Sequence, residues 1–219
     1  MIKHYIVYSH GFAVRSDDRG LFTDIANIMP GAQHVQFDYN EFDEATNTLT
    51  ARPFTEQVTI LQKQLAGIEE EATIDIIAHS QGCVVVAMAK PRHIRKVVFL
   101  APPAQILGMS KKDIYALRPG VFIDADGTLH MPRRDGTNTL IAEDYWKSRE
   151  NIKPIELYNS LAETTDVTVV IAKQDEVLMN TDYSGLSDKI KIIELEANHD
   201  FSGTGRAELL TTIQSGLQP

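Results

Sequence analysis

Short runs of β-branched residues alternate with longer helical patterns along most of this chain, and that alternation leaves few folds open. A strand followed by a helix before the next strand cannot close a hairpin. It joins a parallel sheet through a right-handed crossover, which sets helices on both faces. Tyr5–Tyr8, His34–Asp38, Ile74–Ala78, Lys96–Leu100, Val167–Ala172 and Ile190–Leu195 read as six strands. Helices are expected over Gly20–Met29 (stopped by Pro30-Gly31), Gln81–Ala89, Gly205–Gln214 and Phe54–Ile68, where Val58, Leu61 and Leu65 share a face. The expected fold class is α/β, a mostly parallel six-stranded sheet with helices on both faces, in a single domain of 219 residues.

One stretch, from about Pro102 to Leu161, breaks the pattern with Gly, Pro, charge and aromatics. Inside it Val121-Phe122-Ile123 and Thr128-Leu129-His130-Met131 flank Asp126-Gly127, a hairpin signal, and Glu143 to Arg149 reads as a short helix. The stretch is read as an insertion over one edge of the sheet. The formal net charge of -9 argues against a nucleic-acid or anionic-membrane surface, which needs clustered Lys and Arg. Apolar runs such as Cys83 to Ala89 fall far short of the ~20 residues of a membrane span, so no stable membrane insertion is expected. No charged leader precedes a long apolar stretch, and the single cysteine cannot form an internal disulfide, so the expected compartment is the cytoplasm.

The strongest chemical signal is Ile76-Ile77-Ala78-His79-Ser80-Gln81-Gly82-Cys83, between a strand and a helix. It matches a nucleophile elbow, small-x-Ser-x-Gly, with Ala78 in place of the first glycine. A serine on so sharp a turn needs small residues two before and two after it, so that strand and helix can pass closely. The following helix aims its N-terminus at the site, and the Gln81 amide is a candidate oxyanion donor. Ser9-His10-Gly11-Phe12 follows the first strand, and the Phe12 amide is the second candidate. Asp175 lies just after the strand Val167–Ala172, and His199 just past the last strand. Both thus fall at C-terminal strand ends, where side chains from separate strands converge. The order Ser80, Asp175, His199 is that of the elbow architecture. In these roles Ser80 is the nucleophile, His199 its base and Asp175 the group that orients the imidazole. Glu176 and Asp200 are rival acids by adjacency, whereas Asp166 precedes its strand and so lies at the wrong sheet end.

Two motifs are set aside. Asp124-Ala125-Asp126-Gly127-Thr128 is similar to the first motif of haloacid-dehalogenase-type phosphatases but sits mid-chain, without a later acidic pair for Mg²⁺, and reads as a hairpin turn. Cys83, on the first turn behind the elbow, is read as a small buried core residue. His4, His34, His79, His93 and His130 show no metal-ligand spacing, and no metal or other cofactor is expected.

His10-Gly11-Phe12, Ala78-His79-Ser80-Gln81-Gly82, Asp175 and His199 together resemble the α/β-hydrolases across nearly the whole chain. With Phe22-Thr23-Asp24-Ile25-Ala26 and Ala101-Pro102, the chain is similar to small carboxylesterases of the cinnamoyl (feruloyl) esterase and acylglycerol-lipase type. The resemblance implies a sheet lacking the two N-terminal strands of longer members, and a cap formed by the insertion. Ala78 for the elbow glycine and Cys83 for a further glycine depart from the pattern without removing chemistry.

The implied activity is hydrolysis of a small-molecule carboxylic ester through an acyl-enzyme. Thioester or amide cleavage by the same triad and a ligand-binding role on the same fold are the alternatives, and a monomer or homodimer is expected. Candidates to line the substrate pocket are His10, Gly11 and His79 beside the motifs. From the insertion come Leu107, Met109, Tyr115, Met131, Tyr145 and Trp146 as an apolar wall. Arg118, Arg133 and Arg134 are candidates to hold a substrate carboxylate.

Overall fold

The computed structural model describes residues 2–106, 118–133, 135–179 and 181–217. Leu107, Met109, Tyr115 and Arg134 lie outside them. Six strands, β1 (His4–Ser9), β2 (Gln33–Val35), β5 (Thr73–His79), β6 (Lys96–Leu100), β10 (Asp166–Ala172) and β11 (Lys191–Leu195), form one sheet in the order β11-β10-β6-β5-β1-β2. Every pairing in it is parallel. The expected strands are all present. β2 is shorter than the run His34–Asp38 suggested, because the chain leaves the sheet there to bond elsewhere. Asp38 Oδ1 accepts the Ser16 N–H at 2.7 Å, and the Tyr39 N–H donates to His10 Nε2 at 2.9 Å.

The period-two alternation of the strands separates two apolar cores. Val7, Ile76, Val97, Phe99, Val167 and Val169 face one side, against α2 (Phe54–Ala66), α3 (Gln81–Ala89) and α5 (Pro154–Ala162). Their neighbours Ile6, Tyr8, Ile77, Val98, Leu100 and Val170 face the other, against α1 (Leu21–Ile28) and α6 (Thr204–Gly216). β5 and β6 are buried on both faces, so their sequences read as continuous apolar runs.

A second sheet has the order β3-β4-β9-β8-β7, from β3 (Glu41–Asp43), β4 (Thr48–Thr50), β7 (Phe122–Ile123), β8 (Leu129–Pro132) and β9 (Asn138–Ile141). The hairpin expected around Asp126-Gly127 is β7–β8, in antiparallel register Phe122↔His130. The stretch 102–161 therefore supplies three of these strands, but β3 and β4 come from the connection between β2 and α2. The segment's last helix, α5, packs on α3 beside the main sheet. Leu129, Met131 and Ile141 carry the second sheet into the core on the α3 side, together with Tyr145 of α4 (Glu143–Ser148). Among the described residues no helix is long and apolar enough to cross a membrane.

Candidate active site

The turn between β5 and α3 holds Ser80 at φ 51°, ψ −122°, a left-handed conformation that a side-chain-bearing residue adopts at a cost of about 1–3 kcal/mol. Its surroundings hold it there. The Ser80 N–H donates to Leu100 O at the end of β6 (2.9 Å), and Ser80 O accepts the Cys83 N–H (3.0 Å). Gly82 makes the close passage possible, because a Cβ at that position would lie 2.1 Å from Ser9 O and 2.7 Å from His10 O. The Ser9 hydroxyl donates to Gly82 O at 3.0 Å, so β1 and α3 are fastened where they pass.

Three sequence-predicted residues meet at this turn. His199 Nε2 is 3.0 Å from Ser80 Oγ, and His199 Nδ1 is 2.7 Å from Asp175 Oδ2. The other oxygen, Asp175 Oδ1, accepts the N–H groups of Val177 and Leu178 at 2.8 and 2.7 Å. Burial works against the Asp175 carboxylate, but the bond to His199 and these two N–H donors outweigh it and hold the group below the usual carboxylate range. With a carboxylate on Nδ1, the His199 tautomer has its proton there and leaves Nε2 free to accept from Ser80.

The rival acids are engaged elsewhere. Glu176 Oε2 accepts the backbone N–H of His199 at 3.1 Å, Asp200 takes both oxygens to Arg19 Nη1 at 2.8 Å, and Asp166 pairs with Lys96 at the opposite end of the sheet.

The second motif lies beside Ser80, since a Cβ on Gly11 would sit 3.4 Å from Ser80 Cβ. Among the described residues neither the Phe12 N–H nor the Gln81 N–H, the latter at the first position of α3, has a protein acceptor. Both donors are thus available to an anion forming next to Ser80. Their side chains are held by α4: the Tyr145 hydroxyl donates to Gln81 Oε1 at 2.7 Å, and the Tyr145 ring lies 5.4 Å from that of Phe12. Gln81 Nε2 donates in turn to Gln57 Oε1 of α2 at 3.0 Å.

Two expected pocket residues turn out to be scaffold. His10 is buried, with Nδ1 donating to Gly11 O and Nε2 accepting from the Tyr39 N–H, so both ring nitrogens are engaged in holding the Gly11–Phe12 loop. His79 is buried between Asp18 and the backbone of His199. Met131 is buried in the main core with its sulfur against Arg118, whereas Trp146 is half-buried, edge-on to Tyr145, with a buried Nε1 that has no partner among the described residues. Burial pushes the Cys83 thiol well up, as a core residue requires and opposite to activation at a helix start. Asp18, in the stretch Ser16-Asp17-Asp18-Arg19, carried no signal in the sequence, yet its buried carboxylate accepts both the Gly11 N–H and a His79 ring N–H, each at 2.8 Å.

Among the described residues one group of possible metal ligands occurs, His79, His199 and Asp200, with one donor atom from each within 4.8 Å of the others. Each is committed: His79 to Asp18, His199 to Ser80 and Asp175, Asp200 to Arg19. The three donor atoms therefore lie close because of these hydrogen bonds.

No protein-family model matches the sequence, and no curated protein matches it. Solved structures do resemble it. Ferulic-acid-bound Est1E from Butyrivibrio proteoclasticus aligns with TM-score 0.69 at 14% identity, covering 99% of this chain and 88% of that one. Monoacylglycerol lipase from Paleococcus ferrophilus aligns with TM-score 0.66 at 15% identity, covering 97% and 93%. The esterase domain of a Rhodothermus marinus protein gives 0.65 at 14%, covering 97% and 85%. With its all-parallel six-stranded sheet and helices on both faces, this chain has the α/β-hydrolase fold.

Proposed function

We propose that the protein is a serine hydrolase that cleaves small carboxylic esters through an acyl-enzyme. The observation that carries this reading is the continuous line of hydrogen bonds from Ser80 through His199 to Asp175, at 3.0 and 2.7 Å. As Ser80 Oγ attacks the ester carbonyl carbon, His199 Nε2 takes its proton, and Asp175 stabilises the resulting imidazolium. The carbonyl oxygen becomes an oxyanion facing the Phe12 and Gln81 N–H groups. Collapse breaks the bond to the alcohol, which leaves with the proton held on His199. A water then gives a proton to His199 and attacks the acyl carbon, and the acid departs as Ser80 regains its proton. This sequence balances without a metal or cofactor.

The test is hydrolysis of a p-nitrophenyl ester series of increasing chain length by the wild type and Ser80→Ala, without added metal. Activity in the wild type that falls by roughly 10³-fold in the variant supports the reading. An inert wild type, or a variant that keeps the activity, would remove it.

The second sheet and α4 serve as the cap on this reading, and a cavity between that sheet and the loop after Phe12 supports one kind of ester. About 160 Å³ in volume, it is lined by Ala13 and Val14, just after the Phe12 donor, with Arg15, Arg19, Phe42 and Arg133 among the other residues. Arg15 is paired with Asp38 and Arg19 with Asp200. The half-buried Arg133 guanidinium has no hydrogen bond or ion pair among the described residues. Burial, then Arg19 and Arg118, push its proton affinity down. Asp135 and Asp200 offset this only in part and make no direct bond to the guanidinium, and a substrate carboxylate would give it one. Asp17 and Asp135 also line the cavity, so a single negative charge fits better than a phosphate dianion.

Mono-p-nitrophenyl glutarate should therefore gain over the neutral p-nitrophenyl valerate, and Arg133→Gln should lower kcat/KM for the glutarate alone by about 10-fold, the worth of one charge-assisted bond. Equal changes for both esters would show that Arg133 does not read charge.

A further inference from the structure

The nucleophile turn carries a second histidine that the reaction does not use. His79 ends β5 immediately before Ser80, and its side chain is buried, as is that of Asp18. Its Nδ1 lies 2.8 Å from Asp18 Oδ2 and its Nε2 3.0 Å from the carbonyl oxygen of His199. Both partners accept. A carbonyl has no proton to give, and a neutral imidazole has a single N–H, so one neutral ring cannot make both bonds to a carboxylate and a carbonyl. Either His79 carries two N–H groups beside an Asp18 carboxylate, or the proton between them rests on Asp18 while Nε2–H faces His199. In both forms the pair binds one proton more than a carboxylate with a neutral imidazole, and it is neutral overall.

Asp18 Oδ2 also accepts the Gly11 N–H at 2.8 Å, one residue before the candidate oxyanion donor Phe12. Asp18 sits at φ 46°, a conformation that its surroundings must hold in place. The geometry points to Asp18 and His79 as positioning residues, a buried neutral pair that ties the oxyanion loop to the turn carrying the base, beneath the nucleophile. This role rests on the serine-hydrolase reading; the protonation of the pair does not.

The charges around the pair agree with it. Burial opposes a cation on His79, but the Asp18 charge and hydrogen bond outweigh it, with help from the His199 carbonyl and Asp200, and His79 is raised above its ordinary value. Burial likewise works against the Asp18 carboxylate, and His79, the Gly11 N–H and His10 bring it below the usual range. Neutrality matters for turnover as well. The His79 ring centroid is 5.0 Å from that of His199, which turns cationic in each cycle. A lone imidazolium there would oppose that step, and the Asp18 charge cancels it.

Two measurements test the proposal. Nitrogen-15 NMR of histidine-labelled wild type should find His79 doubly protonated, or sharing one proton with Asp18 while Nε2–H is retained, at pH 7.5. A single N–H lying toward Asp18, with Nε2 bare, would overturn the proposal, whatever the enzyme's activity proves to be. Asp18→Asn, of the same shape, cannot serve both neighbours as the carboxylate does. With its oxygen at the Oδ2 position, His79 becomes neutral and releases the His199 carbonyl; with its nitrogen there, the Gly11 N–H loses its acceptor. The variant should lower kcat by about 10–100-fold with KM within a few-fold, the scale of a small displacement at a reacting centre. A folded variant with wild-type kcat would overturn the positioning role. Should the variant fail to fold, the wild-type NMR result decides.

Discussion

His199→Ala is expected to lower kcat for p-nitrophenyl esters by about 10³-fold or more, and adding Ser80→Ala to it is expected to cost almost nothing further. The expectation follows from the chain of bonds. Ser80 reaches its base only through His199 Nε2, and Asp175 acts only through His199 Nδ1, so removing the imidazole disconnects both partners at once. The Asp175 carboxylate is not left bare, because Val177 and Leu178 still donate to it, and the His199 variant should therefore fold. Residues that work as a unit give non-additive losses. If the two single losses multiply in the double variant, Ser80 and His199 act separately and the triad account is wrong.

Gly82→Ala should be the most damaging single-methyl change in the molecule. Its Cβ would have to occupy a point 2.1 Å from Ser9 O, 2.6 Å from the Ser9 carbonyl carbon and 2.7 Å from His10 O. All three are backbone atoms, so no rotamer change relieves the overlap, and β1 must separate from α3. Alanine gains about 1 kcal/mol in helix propensity, but overpacking of this kind costs about 3 kcal/mol or more. At about 2–4 °C per kcal/mol for a chain of this size, the net cost of about 2 kcal/mol lowers Tm by roughly 4–8 °C or more. Activity should fall further than stability, since the same shift parts the Gly11–Phe12 loop from the Ser80 turn. Gly31→Ala is the control: no atom lies within 4 Å of its built Cβ, and Tm should change little. Equal Tm values for the two variants would show that the close passage is not tight.

The main sheet was readable because its central strands are buried on both faces and its strands are separated by helices with a clear apolar face. Ile74–Ala78 and Lys96–Leu100 are apolar for a reason that requires both faces to be covered. The strained turn at Ser80 was readable because its sterics admit few residues, and the meeting of Asp175 and His199 with it because strand ends in a parallel sheet converge. The second sheet was not. β3 and β4 are three residues each, too short for a period, and β4 pairs in parallel with β9 far along the chain, Leu49 opposite Thr139.

Histidines next to a reactive motif look alike in sequence whether they line a pocket or brace a loop. For His10 and His79 the difference lies in partners such as Tyr39 and Asp18, which come from other parts of the chain. Asp18 was hidden by the same circumstance: in a row of charged residues nothing marks the one that is buried.

A serine hydrolase of this kind must pass through a covalent intermediate at Ser80. Wild-type enzyme mixed with p-nitrophenyl acetate, quenched in acid during turnover and mapped by peptide mass spectrometry, should carry one acetyl group on the peptide containing Ser80. Ser80→Ala treated in the same way should carry none. Steady hydrolysis with no acetylated peptide, or an acetyl group on another residue that persists in Ser80→Ala, would contradict it.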